Sequence, residues 1–346
     1  MKSWTTNLVP ILLALASTTC LLPPKARTIP ASGVAGSPCQ SVGADRKKGE
    51  NPFAGACFMV EPMSNARRQA EAWRSSRPAD AAAIDKIASQ PSAAWFGDWN
   101  GRIDYDLEIY VRHHSRSDAL PVFVLYNVPN RDCGQYSRGG ATGPEHYKTW
   151  IDRAKKGIGS TRAVVVLEPD ALGLMDKCLS RADQRARLDM ICYAVHTLES
   201  TPGAAVYIDA GHDAWLPAAD MADRLKKACI ADATGFSLNT SNYRATPDLI
   251  RYGHEISSLV GGKHFIIDTA RNGNGPPPDA VGEAAWCNPD GRALGTPPTT
   301  NTGDPLVDAF FWVKPPGESD GTCNHGPRAG GWWPDQALGL AKRAHW

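Results

Sequence analysis

The sequence has no excess of charge of either sign. Its 346 residues carry 37 Lys and Arg against 36 Asp and Glu, a formal net charge of +1. A nucleic-acid-binding domain carries a clear basic surplus, so that class is set aside, and a strongly charged substrate is not expected. No long acidic or basic tail is present. The apolar run at residues 8–16 (LVPILLALA) is too short to span a bilayer as a helix, which takes ~20 residues. No two cysteines show the C-x-x-C spacing of a structural zinc site, and no G-x-S-x-G marks a nucleophilic serine. What the chain has in plenty is tryptophan, eleven in all. Core packing is the ordinary use of so many indoles; flat stacking platforms are the other.

The short apolar run, preceded by Lys2 and followed by small residues, reads as an export signal over residues 1–30. A lipid anchor at Cys20 is disfavoured by the preceding Ser17-Thr18-Thr19. Residues 31–50, part of a stretch rich in Pro, Gly, Ser and Ala, form a flexible lead-in to a domain over 51–346. Export makes the nine cysteines candidates for disulfides. Loss of Cys20 with the signal leaves an even number.

From about residue 91 one theme repeats. Apolar runs at 93–99, 121–128, 163–170, 204–211, 235–243, 264–270 and 308–314 alternate with amphipathic stretches such as 144–157 and 181–200. Continuous apolar runs suit strands covered on both faces, and their alternation with helices predicts α/β architecture. About seven strands without an obvious linker favour a closed or nearly closed barrel over a doubly wound open sheet. The runs end in polar residues: Asp98, Asn127, Glu168 and Asp170, Asp209, Asn239 and Asn242, Asp268 and Lys314. Parallel α/β folds bind ligands at the carboxyl ends of their strands, so these side chains are expected to converge on one mouth. Some would serve only as helix N-caps. The Gly- and Pro-rich stretches 271–303 and 317–331 read as ordered binding loops.

Four segments carry the chemistry: YNVPNRDCGQYSRGGA (126–141), VVVLEPDALG (164–173), YIDAGHDAWL (207–216) and WVKPPGESDGTC (312–323). Carboxylates crowded at one mouth repel one another, and burial adds to the effect, so some hold a proton while those beside Arg or Lys stay ionised. One group to donate a proton and another to accept one is the requirement for cleaving a glycosidic bond. A metal site is the rival use of clustered acids. His212 is the one histidine beside an acid within these motifs, with no second ligand at a suitable spacing, so no metal and no cofactor are expected.

Together with FSLNTSNY (236–243) and FIIDTARNGNG (265–275), these segments resemble glycoside hydrolase family 6, the inverting cellulases, in family order and over essentially all of residues 51–346. The resemblance implies a distorted β/α barrel that cuts β-1,4-glucan with inversion. It implies Asp170 as the general acid, Asp132 as the residue that raises the acid's pKa and helps activate water, and Asp320 as the debated candidate for the base. Asp209 matches a binding-site carboxylate, and Tyr126 the tyrosine that helps distort the reacting sugar. Arg131, His212, Lys314 and Glu318 match substrate-binding positions, and Trp95, Trp215 and Trp286 sugar-stacking tryptophans. Asn239 joins the substrate-binding set, as does Ser137, the candidate for the serine that positions water. The family disulfides would be Cys133–Cys178 and Cys287–Cys323, which leaves the state of Cys39, Cys57, Cys192 and Cys229 open. The expected protein is a secreted monomeric endoglucanase whose partner is cellulose or a cello-oligosaccharide. A domain of this length is short for the family's processive members, and no separate binding module is recognisable. The rivals are a cellobiohydrolase and a non-catalytic glucan-binding protein on the same scaffold.

Overall fold

The structure is a computed structural model that describes residues 50–278 and 280–346. The expected export signal and all but the last residue of the lead-in, with Cys20 and Cys39, lie outside the described residues. Seven parallel strands form one sheet in strict sequence order, β1-β2-β3-β4-β5-β6-β7. They are β1 (Ala94–Gly97), β2 (Val122–Tyr126), β3 (Ala163–Leu167), β4 (Ala204–Asp209), β5 (Gly235–Leu238), β6 (His264–Asp268) and β7 (Val307–Phe311). Every strand falls inside one of the apolar runs, except that β7 begins one residue ahead of its run, at Val307. Helices α1 (Asn65–Trp73) and α2 (Pro78–Ala88) precede the sheet. Between its strands run α3 (Ile103–Ser115), α4 (Pro144–Ile158), the short α5 (Met175–Cys178), α6 (Arg181–Glu199), α7 (Ala218–Lys227), α8 (Thr246–Leu259) and the short α9 (Glu283–Trp286). Helix α10 (Pro334–Lys342) closes the chain.

Strand periodicity of two divides the sheet into two faces. Val122, Val124, Val164, Val166, Ala205, Tyr207, Ile266 and Ala309 pack in the curled interior. Their neighbours Phe123, Leu125, Val165, Val206, Ile208, Phe236, Phe265 and Ile267 pack outward among the helices. This is why the strands read as unbroken apolar runs rather than alternating ones. The amino end of the interior is sealed by Phe53, which is fully buried against Phe58, Tyr207 and Phe311. The register runs from β1 through β7 and does not close into a ladder between the two edges. There Ala93 N donates to Trp312 O (3.0 Å) and the Trp95 indole to Val313 O (2.9 Å). The architecture is a distorted α/β barrel whose carboxyl end is left as the place for a site.

Candidate active site

A cleft of about 740 Å³ opens at the carboxyl ends of the strands. It falls in the range of small-molecule and substrate sites. Asp170, Asp132, Asp320, Tyr126, Ser137, His212, Lys314, Trp95, Trp215 and Trp286 all line it. Four other expected residues do not. Asp209, Arg131 and Asn239 are buried behind the wall, and Glu318 sits where the chain bridges to Trp332.

The backbone that delivers these groups is bent out of ordinary strand or helix geometry. Among the described residues, seven of the twelve non-glycine residues with positive φ follow β2, β3 or β5: Asn130, Asp132, Cys133, Glu168, Asp170, Asn239 and Ser241. Such conformations cost energy for a residue with a Cβ and persist only where surrounding bonds hold them. The bonds come largely from buried carboxylates. Glu168 accepts from Asn127 N with both oxygens (3.0 and 2.9 Å) and from Val128 N (3.0 Å). Asp209 accepts from Asp170 N (3.0 Å) and Gly211 N (3.1 Å). Asp268 takes Ser241 N, Ala270 N, Val313 N and Lys314 N, at 3.0–3.3 Å. Each ties the end of its own strand to loops that follow a neighbouring strand.

On one side of the cleft the acids face one another without an ion pair. Burial first, and then the charges of Asp209, Asp132 and Asp320, push the Asp170 carboxyl well above the usual aspartate range. Its one side-chain donor is the Tyr126 hydroxyl, at 3.4 Å. Burial also raises Asp132, partly offset by the Ser137 N–H (2.8 Å) and the charges of Arg131 and Lys177. Burial pushes Asp209 up to about 6.

Asp320, across the cleft, is held differently. Arg271, 1% exposed, forks onto both of its oxygens at 2.9 Å. The Tyr243 hydroxyl and Asn288 N each donate to Oδ2 at 3.0 Å, and Asp320 N returns a bond to Asn288 Oδ1 (2.8 Å). This buried pair joins residues 49 apart in sequence, a link that local pattern cannot reveal. Arg271 and Tyr243 are the functional neighbours that sequence reasoning missed, although both lie inside quoted motifs.

The aromatic walls are packed against close neighbours. Trp215 lies flat on Gly173 and Gly211, where an added Cβ would come within 2.8 and 3.0 Å of the indole. His212 packs beside Trp215 (5.4 Å between centroids), and burial lowers it to about 4, so its ring is neutral near pH 7. Lys314 sits over the Trp95 ring at 5.3 Å, a cation–π contact. Trp286, on α9, meets Tyr136 edge-on (6.2 Å), and the Tyr136 hydroxyl donates to Glu283 (3.2 Å).

Arg131 and Asn239 hold the wall rather than face the cleft. Arg131 pairs with Asp98 (2.7 Å) and donates to the carbonyls of Tyr126, Ser137 and Arg138. Asn239 spends its amide on Asp268 O (2.7 Å) and Arg244 N (3.0 Å). Two disulfides flank the cleft: Cys133–Cys178 joins the Asp132 loop to α5, and Cys287–Cys323 joins α9 to the Asp320 loop. A third, Cys192–Cys229, ties α6 to the turn after α7, and Cys57 is also disulfide-bonded. Cys192, His196 and Cys229 place three ligand-type atoms close together, but two of them are the sulfurs of that disulfide.

The same arrangement has relatives. The family model for Glycosyl hydrolases family 6 matches residues 53–344. Endoglucanase A from Cellulomonas fimi is 43% identical over 291 residues, 84% of this chain and 62% of that protein. The chain thus spans less than two thirds of that relative's length. Endoglucanase 1 from Streptomyces halstedii is 41% identical over 292 residues, covering 81% of this chain and 87% of its own. Among solved structures, the endoglucanase Cel6 from Mycobacterium tuberculosis, in complex with methyl-cellobiosyl-4-deoxy-4-thio-β-D-cellobioside, superposes with a TM-score of 0.81. It is 43% identical, over 85% of this chain and 99% of that one. With the family match running nearly the length of the described chain, this protein belongs to glycosyl hydrolases family 6.

Proposed function

We propose that the chain is a secreted, monomeric endo-1,4-β-glucanase that hydrolyses cellulose or soluble β-glucan with inversion, through a catalytic domain at 51–346. The observation that carries this reading is the crowding of Asp170 by three further carboxylates in a buried pocket. A carboxyl that holds its proton to higher pH than an ordinary aspartate is a general acid in waiting. Asp170 gives its proton to the glycosidic oxygen as the C1–O bond breaks, and a water attacks C1 from the opposite face. The inverting geometry leaves room for that water between the acid and the accepting group.

The accepting group is assigned to Asp132 rather than Asp320. Both oxygens of Asp320 are already engaged by Arg271, and one also by Tyr243 and Asn288. It acts as a fixed negative charge beside the developing oxocarbenium-like centre. Asp132 lines the cleft next to Ser137 and draws the water's proton directly or through a second water. Tyr126 lines the cleft with its hydroxyl 3.4 Å from Asp170, and Trp95, Trp215 and Trp286 supply ring-stacking surfaces. Asp209 holds the Asp170 backbone and keeps its proton on. Glu318, near Lys314, and Arg131 shape the site from behind. The endoglucanase relatives support the internal mode of cutting. So does the bound thio-oligosaccharide of the solved relative for a glucan substrate.

Proton NMR of the first product tests the stereochemistry: an α-anomer is expected from a β-linkage, and a β-anomer overturns the assignment. A second reading, chain-end cutting, draws on the Tyr136–Glu283 bond, which joins loops on two sides of the cleft. Viscosity loss of carboxymethyl cellulose, set against release of reducing ends, separates the two modes. A steep early fall in viscosity is expected.

A further inference from the structure

Directly behind Asp320 lies a second cavity, of about 200 Å³. Its inner wall is made of Tyr243 and Asn288, the same residues that donate to the Asp320 carboxylate. Its outer wall comes from one side of α10 and the residues that flank it, with Trp333, Gln336 and Arg343. Gln336 gives its amide N–H to Asn288 Oδ1 (2.9 Å), while its Oε1 is buried with no hydrogen-bond partner. Arg292, 8% exposed, donates to the carbonyls of Asp290, Asn274 and Gly275 rather than to a carboxylate. A buried acceptor with no donor, and a buried cation held only by carbonyls, are both costly unless something completes them.

The chemistry of the walls narrows what that is. Two cations, Arg292 and Arg343, and two acids, Asp290 and Asp335, line the cavity, so it selects no net charge. Planar amides and guanidinium forks around one indole suit a neutral ring that bears hydroxyls on its edge and C–H groups on its face. The volume is below the ~300–1,000 Å³ of drug-sized sites, which fits a single pyranose. We propose that this cavity binds one glucosyl unit, free glucose or a chain end, and that its occupancy acts on Asp320 through Tyr243 and Asn288. The product of the reaction would then throttle turnover from outside the cleft. This rests on the glucanase reading above.

The test uses glucose as the probe on the intact protein, with binding and turnover read separately. Saturation-transfer NMR reports glucose binding, and kinetics on carboxymethyl cellulose report its effect. In the wild type, glucose is expected to lower kcat without raising KM. In Arg343→Ala and Trp333→Ala that depression of kcat should vanish, with kcat and KM in the absence of glucose unchanged. Arg343 is exposed, so its variant decides the matter if the Trp333 variant fails to fold. Inhibition that acts only on KM, or is identical in Arg343→Ala, overturns the proposal. If no glucanase activity is found at all, the NMR arm still decides: a glucose signal weakened in Arg343→Ala supports the pocket, and an unchanged one overturns it.

Discussion

Two aspartates face the same cleft from opposite sides, and their surroundings make them different chemical objects. Asp170 is ringed by other acids, with a tyrosine hydroxyl 3.4 Å away as its side-chain donor. Asp320 is forked by a buried arginine and bonded by a tyrosine and a backbone amide. Burial and like charges favour the neutral carboxyl at Asp170, whereas Asp320 is tied in place by its ion pair and hydrogen bonds. The residue type is the same, so the division of labour comes from neighbours brought in by other strands.

The comparison can be broken at several points. On the proposed mechanism Asp170→Ala removes the proton donor, and kcat on cellulose should fall about 10²–10⁴-fold, the usual worth of a general acid. The loss should be much smaller on an activated aryl glycoside whose leaving group needs no proton. Equal losses on both substrates would remove Asp170 from the donor role. Next, Arg271→Ala strands Asp320 as a buried charge. Breaking such a pair costs about 3–5 kcal/mol, to be read in denaturant unfolding, and an unchanged midpoint would mean the pair is not the anchor of that side.

The acid side predicts the opposite pH behaviour from an ordinary carboxylate protein. Glu168 is raised to about 7, Asp209 and Asp268 to about 6, all above their unfolded values. Each therefore binds its proton more firmly in the folded state. Their contribution to stability is complete in acid, below the unfolded carboxylate pKa, and is lost as pH rises through about 6 to 7. The melting temperature should climb between pH 8 and pH 5. A melting temperature that is flat or falling over that range would contradict the burial argument. Asp209→Asn removes the second-largest cause that raises Asp170. The alkaline limb of kcat/KM should move to lower pH, and an unmoved limb would show that burial alone sets the acid. The smallest effect is expected at His212, already neutral at pH 5–8 because burial lowers it to about 4. His212→Gln should weaken KM and leave the shape of the pH profile alone.

Much of this was legible in the sequence, and unevenly so. The seven apolar runs became the seven strands; of the polar residues at their ends, Asp170, Asn242 and Lys314 line the cleft, while Asn127, Glu168, Asp209, Asn239 and Asp268 are buried. The reason is strand periodicity together with the direction shared by parallel strands. Arg131 and Asn239 lie within the motifs but turn away from the cleft, because a sharply bent loop needs as many groups to hold it as to use it. Arg271 and Tyr243 stayed hidden for the complementary reason. Nothing in FIIDTARNGNG or FSLNTSNY states that both will reach a carboxylate in WVKPPGESDGTC, since that pairing is a property of the closed fold. The pairing of Cys192 with Cys229 was equally invisible, being set by where α6 and α7 pack.

The left-handed backbone at Asn130, Asp132, Glu168, Asp170, Asn239 and Ser241 gives the molecule a polarity that a protein engineer can use. At those positions a β-branched replacement is excluded by its own backbone, whatever space surrounds it. Libraries aimed at new specificity belong on the Trp95, Trp215 and Trp286 walls. Changes for heat tolerance belong at the opposite end, around Phe53 and the amino ends of the strands. There the packing is ordinary, and gains in stability leave the strained rim undisturbed.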